Sequence, residues 1–189
     1  MKELHIVTVG ISVLTHFMRA NNLKLPETLK RVPAVAKFLA EAPQERCAEI
    51  NSLNARLKLL PKPPQGLAVA LVYSQTAEGR MAAGLIERFL RHLGVAVTKL
   101  QLASIDLPGL AGADAAVAQQ LAERGLSKLR GKVTEHVAKM RRQHAGLVIQ
   151  FNATGGFKAE TAVLYELGRA LRIPVYYFHE TYKVAITLP

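Results

Sequence analysis

The residues of this chain whose types and spacing could do chemistry are Asn152-Ala153-Thr154-Gly155-Gly156-Phe157-Lys158. They follow an apolar run, residues 146–151, that reads as a buried strand. They precede residues 159–171, which read as a helix. A strand that ends in Thr-Gly-Gly and turns into a helix leaves backbone N–H groups pointing out of the turn. They lie at the positive end of the helix, where a phosphate or another anion is stabilised. Lys158 adds a full positive charge. The expectation is an anion site with its own cation, built from Asn152, Thr154, Gly155, Gly156, Phe157 and Lys158.

Two other segments end apolar runs in small polar residues. Gly10-Ile11-Ser12 follows the run 4–9, and Ser74-Gln75-Thr76 follows the run 67–73, with Glu78 and Arg80 close behind. Ligands of open α/β sheets bind outside the carboxyl ends of the strands, so all three segments are expected on one rim. A lone Gly-x-Ser is more often a turn than a site; the weight comes from three such ends together. Thr76, with Glu78 behind it, also has the pattern of a helix cap, and capping is the better reading for it.

Several chemistries are disfavoured. Gly10-Ile11-Ser12 lacks the later glycines of the dinucleotide fingerprint, and Thr154 to Lys158 lacks the spacing and the Lys-Ser/Thr ending of a Walker A loop. Neither NAD binding nor ATP hydrolysis is expected, and no cofactor. His136, His144 and His179 fall on different elements, and no His or carboxylate group has metal-ligand spacing. Cys47 is the single cysteine. It excludes an internal disulfide and a Cys-rich zinc site, and nothing around it suggests a nucleophile.

The elements that must position these residues alternate. Strands are expected at 4–9, 67–73, 95–100, 146–151, 174–178 and 184–188. Helical segments are expected in 11–22, at 34–40, from Pro43 to about Leu59, from Thr76 to Leu93 closed by Gly94, from Ala113 to His144 with breaks near Gly125 and Gly131, and from Phe157 to Leu171. Pro108 to Gly112 reads as a loop. Alternation of this kind means an α/β fold, Rossmann-like, with a mostly parallel sheet and helices on both faces. The last two strands are close enough for a C-terminal β-hairpin. Residues 1–189 are expected to form a single domain.

The chain carries 25 Lys and Arg against 14 Asp and Glu, a formal charge of +11, and half of its 189 residues are hydrophobic. A globular protein this basic is expected to meet polyanions. Lys128, Arg130, Lys132, Lys139, Arg141 and Arg142 read as a solvated helix face that adds steering. Residues 6–14 have a faint signal-peptide character, but Glu3 and His5 spoil the flank and no small-residue cleavage site comes after them. No run approaches transmembrane length. A cytoplasmic location is expected, where the sequon at Asn152 has no meaning, and no membrane partner.

With Val175-Tyr176-Tyr177-Phe178-His179-Glu180, the terminal Ile186-Thr187-Leu188-Pro189, the opening Thr8-Val9-Gly10-Ile11-Ser12 and the helical Ala48-Glu49-Ile50-Asn51-Ser52-Leu53, the Gly-Gly-Phe-Lys turn resembles the CRISPR-associated Rossmann fold (CARF) domain of type III CRISPR systems. The resemblance covers nearly the whole chain. It implies a homodimer that binds a cyclic oligoadenylate, here cyclic tetra-adenylate, across its two-fold axis, and no stable DNA complex. Many members carry a helical ribonuclease domain with a spaced Arg–His pair. Arg130…His136 and Arg172…His179 have that spacing, but both lie within elements of the Rossmann unit and read as coincidences. No effector domain is expected within the chain.

A stand-alone unit is most similar to the ring nucleases of that family. The resemblance then implies metal-independent cleavage of cyclic tetra-adenylate, which switches type III signalling off. A ribose 2′-OH attacks the adjacent phosphate and leaves a linear product with a 2′,3′-cyclic phosphate end. The residues that matter in that subgroup match Ser12 and Lys158, as catalytic residues. Gly10, Ile11, Ser74, Gln75, Thr76, Asn152, Thr154, Gly155, Gly156 and Phe157 are the expected ligand-binding set. Lys158 is given an electrostatic role, and Ser12 the holding of the 2′-OH or a phosphate oxygen. Tyr176, Tyr177 and Tyr182 could stack on bases, although strand tyrosines more often pack. A non-catalytic CARF sensor that binds the ring and regulates a partner or transcription is the alternative.

Overall fold

The computed structural model describes residues 1–102, 114–179 and 181–189. The loop expected at Pro108–Gly112, the helix start at Ala113 and Glu180 lie outside the described residues. Along the chain run β1 (Glu3–Thr8), α1 (Ser12–Asn21), α2 (Leu25–Thr28), α3 (Val32–Glu41), α4 (Pro43–Arg46), α5 (Ala48–Leu57), β2 (Leu67–Tyr73), α6 (Ala77–His92), β3 (Ala96–Gln101), α7 (Ala115–Gln143), β4 (Val148–Asn152), α8 (Lys158–Leu171), β5 (Val175–His179) and β6 (Val184–Thr187).

The strands form one sheet in the order β3-β2-β1-β4-β5-β6. β1 pairs in parallel with β2 on one side and β4 on the other, setting His5 against Val69 and Gln150. β5 and β6 form the expected antiparallel hairpin, with Phe178 opposite Ala185. The fold is α/β and Rossmann-like, a mostly parallel sheet with helices on both faces. Alternate strand residues feed two cores. Val7, Val69 and Leu71 pack against Leu14 of α1, Leu39 of α3, Ile50 of α5 and Ile86 of α6. Ile6, Ala70 and Phe151 pack against Val133 of α7 and Leu164 of α8. Because β2 is buried on both faces, its run Leu-Ala-Val-Ala-Leu-Val-Tyr is apolar throughout.

Strand order turns back at β1 and β4. From β1 the chain moves outward through helices on one face; from β4 it moves outward the other way through α8 on the opposite face. Such a switch point opens a crevice at the carboxyl ends of the two strands. Gly10 to Ser12 and Asn152 to Lys158 flank it.

Two expectations about helices are corrected. The helix from Pro43 to Leu59 is two: Cys47 is extended, at φ −141° and ψ 115°, between α4 and α5. The break lets the Cys47 side chain bury and the hydroxyl of Ser12 accept the first N–H of α5, from Ala48, at 3.1 Å. The breaks expected at Gly125 and Gly131 do not occur, and α7 runs unbroken for 29 residues. Leu129, Val133, Val137 and Met140 bury one stripe of it against the sheet. That stripe of packing outweighs the roughly 1 kcal/mol a glycine costs in a helix.

Candidate functional site

Glu49 organises the crevice. It sits in the first turn of α5 with no exposed surface. Its Oε1 accepts the N–H of Gly10 at 2.7 Å. Its Oε2 accepts from the hydroxyl of Ser12 and the thiol of Cys47, each at 3.2 Å. The carboxyl group also fills the space beside Gly155. A Cβ there would lie 2.0 Å from Glu49 Oε1 and 2.8 Å from the Thr8 carbonyl, so the position takes only glycine. The neighbouring Gly156 has φ +89°, a left-handed conformation that a side chain would strain. The Gly-Gly pair of the turn is thus a packing requirement as well as a backbone one.

The far side of the turn is tied to α5. Asn152 is fully buried, and its Oδ1 accepts from Ser52 at 3.0 Å and from the Thr154 N–H at 3.1 Å. Thr154 Oγ1 lies 2.7 Å from the same oxygen and 2.8 Å from Ser52 Oγ, and accepts the N–H of Phe178 at 2.9 Å. Thr8 donates to the Gly155 carbonyl at 2.6 Å. At the start of α8 the buried Glu160 accepts the Phe157 N–H at 3.1 Å. The N–H groups of Thr154 and Phe157 are therefore bonded inward, to Asn152 and Glu160.

Above this layer lies an open cavity of about 780 Å³. Ser12 and His16 line it from α1, Asn51 and Lys58 from α5 and its end, Thr154 from the turn, and Phe178 and Lys183 from the hairpin. Ser12 and His16, four residues apart, share one helix face. Among the described residues neither Lys58 nor Lys183 has a side-chain hydrogen bond or ion pair, so both ammonium groups are available to an anion. Among the described residues no three His, Cys, Asp or Glu side chains come together as a metal site.

The structure brings some of the expected residues together and not others. Gly10, Ile11, Ser12 and the turn 152–158 meet at the crevice. Lys158 is exposed as the first residue of α8, outside the cavity wall. Asn152 lies beneath the turn rather than at its surface. Ser74 and Thr76 are buried and 3.0 Å apart, and the Thr76 hydroxyl caps α6 by accepting the Gly79 N–H at 3.0 Å. Gln75 is exposed beside them. None of these last three lines the cavity.

Of the tyrosines, Tyr176 has no exposed surface and bonds His5 Nδ1 at 2.7 Å, while His5 Nε2 reaches Glu3 at 2.9 Å. Burial, above all, raises the Tyr176 phenol well out of its ordinary range. Tyr182 is 70% exposed and stacks on His179 at 4.3 Å. Arg130 and His136 part company: Arg130 pairs with Glu166 of α8 at 3.0 Å, and His136 is half-buried on α7 with an unbonded Nε2. Arg172 closes α8 at the opposite end of β5 from His179. Neither pair forms a site.

Sequence reasoning missed Glu49 as a site residue, and with it His16, Lys58 and Lys183. The spacing of Ser12 and His16 on a helix was a usable signal. Little local marks Glu49: Cys47 is two residues away, but Ser12 and Gly10, which tie it to the crevice, lie 37 and 39 residues away. No described helix is long and apolar enough to cross a membrane.

No curated protein matches the chain. Among solved structures, protein VC1899 from Vibrio cholerae is similar over 98% of this chain and 33% of that one, at 10% identity and a TM-score of 0.51. Csm6 from Enterococcus italicus, bound to cyclic hexa-2′-fluoro-hexa-dAMP, is similar over 95% of this chain and 34% of that one, at 8% identity and a TM-score of 0.54. The chain spans about a third of the length of either, and the likeness is one of fold. The family model described as CRISPR-associated protein (Cas_APE2256) matches residues 44–189, and this chain belongs to that family.

Proposed function

We propose that this protein is a metal-independent ring nuclease that binds cyclic tetra-adenylate and cuts it to linear products with 2′,3′-cyclic phosphate ends. The observation that carries the reading is the meeting of Ser12 and Thr154 on one cavity, at the switch point of the sheet, beside Lys58 and Lys183, two cations unpaired among the described residues. A cyclic oligoadenylate is a polyanion with ribose hydroxyls. The site offers ammonium groups for the first and polar side chains for the second. A formal charge of +11 raises the encounter rate with such a ligand. Csm6, of similar fold, is bound to a cyclic hexanucleotide analogue.

The nucleophile is a substrate 2′-OH, so the protein has to orient it and stabilise charge on the phosphoryl oxygens. Lys158, at the positive end of α8, supplies that charge from the edge of the crevice. Ser12, Gly10 and the turn hold the ring. The working form is a homodimer built from one CARF domain per chain, in the cytoplasm. Ile11 and Phe157, 39% and 50% exposed beside Ser12 and Lys158, are apolar surfaces that a second copy would cover.

A second reading, a CARF sensor that holds the ring without cutting it, is favoured by the position of Lys158 outside the cavity wall. Incubation with cyclic tetra-adenylate in excess EDTA separates the two. Linear products that disappear in Lys158→Ala support the nuclease. Tight binding of an intact ring leaves the sensor, and absence of binding removes both.

A further inference from the structure

The hydroxyl of Ser12 has a fixed polarity. It has one proton and two lone pairs. The proton is donated to Glu49 Oε2 at 3.2 Å, and one lone pair accepts the Ala48 N–H at 3.1 Å. The remaining lone pair is the capacity left for a ligand in the cavity that Ser12 lines. A phosphate oxygen, an acceptor only, would compete with Glu49 for the Ser12 proton. A ribose hydroxyl is a donor and completes the set. Behind Ser12, Glu49 has no exposed surface, so the hydroxyl is its link to the cavity. Lys158, exposed on α8, lies outside the cavity wall.

We propose that Ser12 accepts the proton of the attacking ribose 2′-OH and passes its own to the buried carboxyl of Glu49. This rests on the nuclease reading and supplies the base which that reading lacks. As the 2′-oxygen forms its bond to phosphorus, its proton moves to Ser12 Oγ and the Ser12 proton moves to Glu49 Oε2. The bond from phosphorus to the 5′-oxygen breaks, and that oxygen takes a proton from Lys158 or from water. Glu49 returns its proton through Ser12 to water when the product leaves, and Lys158, where it was the donor, regains one from water. Cys47 donates to the same oxygen of Glu49 and does not compete for the proton: burial, followed by the Glu49 charge, raises its thiol well above the ordinary range. Ser12 is the catalytic residue of the pair. Glu49 acts through it, as a positioning residue and proton acceptor.

The test separates binding from turnover. Affinity is measured by calorimetry with a cyclic tetra-adenylate whose 2′-hydroxyls are replaced by fluorine, and cleavage by single turnover with the natural ring in EDTA. Glu49→Gln keeps the size and an acceptor for Gly10. It is expected to bind within about threefold of wild type and to cleave slower by about 10² to 10⁴, the range for proton transfer by a placed side chain. Glu49→Gln that cleaves within about threefold of wild type overturns the relay. So does a loss of binding that matches the loss of cleavage, which would make Glu49 only a clamp on Gly10. Should Glu49→Gln not fold, Ser12→Thr is compared with Ser12→Ala. The relay requires the threonine hydroxyl to restore at least tenfold in rate, and equal rates overturn it. A wild-type protein that leaves the ring intact overturns the nuclease reading and the relay together. A wild type that cuts, beside a Glu49→Gln that cuts equally well, overturns the relay alone.

Discussion

Ser52 of α5 and Asn152 at the end of β4, one hundred residues apart, are joined by a 3.0 Å hydrogen bond in a fully buried setting. The same Asn152 oxygen receives the Thr154 N–H. A helix on one face of the sheet therefore sets the start of the turn that lines the cavity. Asn152→Ala leaves the Thr154 N–H and the Ser52 hydroxyl without their acceptor. Each buried orphan costs about 1–3 kcal/mol, so a loss of about 2–6 kcal/mol is expected in urea unfolding. Loss of ring binding should accompany it even under conditions where the variant is folded.

Gly155→Ala brings a methyl group to 2.0 Å from Glu49 Oε1. The helix α5 and the β4–α8 turn must part to admit it. Overpacking of this kind costs about 1–3 kcal/mol. Thermal unfolding should report the drop, and cleavage should fall with it, because displacing Glu49 takes away the partner of Ser12.

Cys47 should be chemically inert in the folded protein. Burial, then the neighbouring Glu49 charge, pushes its thiol up, so at pH 8 it carries less thiolate than a free cysteine. Iodoacetamide is expected to label it at least a hundredfold more slowly in buffer than in urea. Equal rates would mean that the Cys47 break between α4 and α5 is open in solution.

His136 gives a pH dependence to stability. Burial, followed by the nearby Lys139 charge, lowers its folded value below the unfolded 6.5. Below pH 6.5 the unfolded chain then holds more protons than the native one, so stability falls as pH falls from 7 toward 5. His136→Gln should flatten the melting temperature across that window. The carboxylates with lowered values act in the next one down. Glu3, held low first by its hydrogen bond from His5, contributes stability that is lost as pH falls below 4.5 and through its folded value.

Ring affinity should weaken steeply with salt. Lys58 and Lys183 line the cavity without partners among the described residues, and each phosphate contact they made would release counterions. Between 50 and 300 mM KCl, Lys58→Ala/Lys183→Ala is expected to show a shallower slope than wild type. An unchanged slope would place the phosphates elsewhere.

The sequence by itself determined what depends on neighbours in the chain. An unbroken apolar run made β2 a strand covered on both faces, Thr76 with Glu78 behind it made a helix cap, and Thr-Gly-Gly made a strand-to-helix turn. Alternation of such pieces was enough for a mostly parallel sheet with a closing hairpin. Tertiary structure decided the rest, because it turns on contacts between distant residues. Cys47 breaks a helix only because Ser12, 36 residues before Ala48, caps the start of α5. Gly125 and Gly131 fail to break α7 because Leu129, Val133, Val137 and Met140 hold one stripe of it against the sheet. Tyr176 packs, as strand tyrosines more often do, but that its hydroxyl meets His5 follows only from laying β4 between β5 and β1. Glu49 was legible only as one acidic residue in a helix. The parallel pairing of β1 with β4 brings Gly10 and Gly155 to either side of it, and makes it the centre of the site.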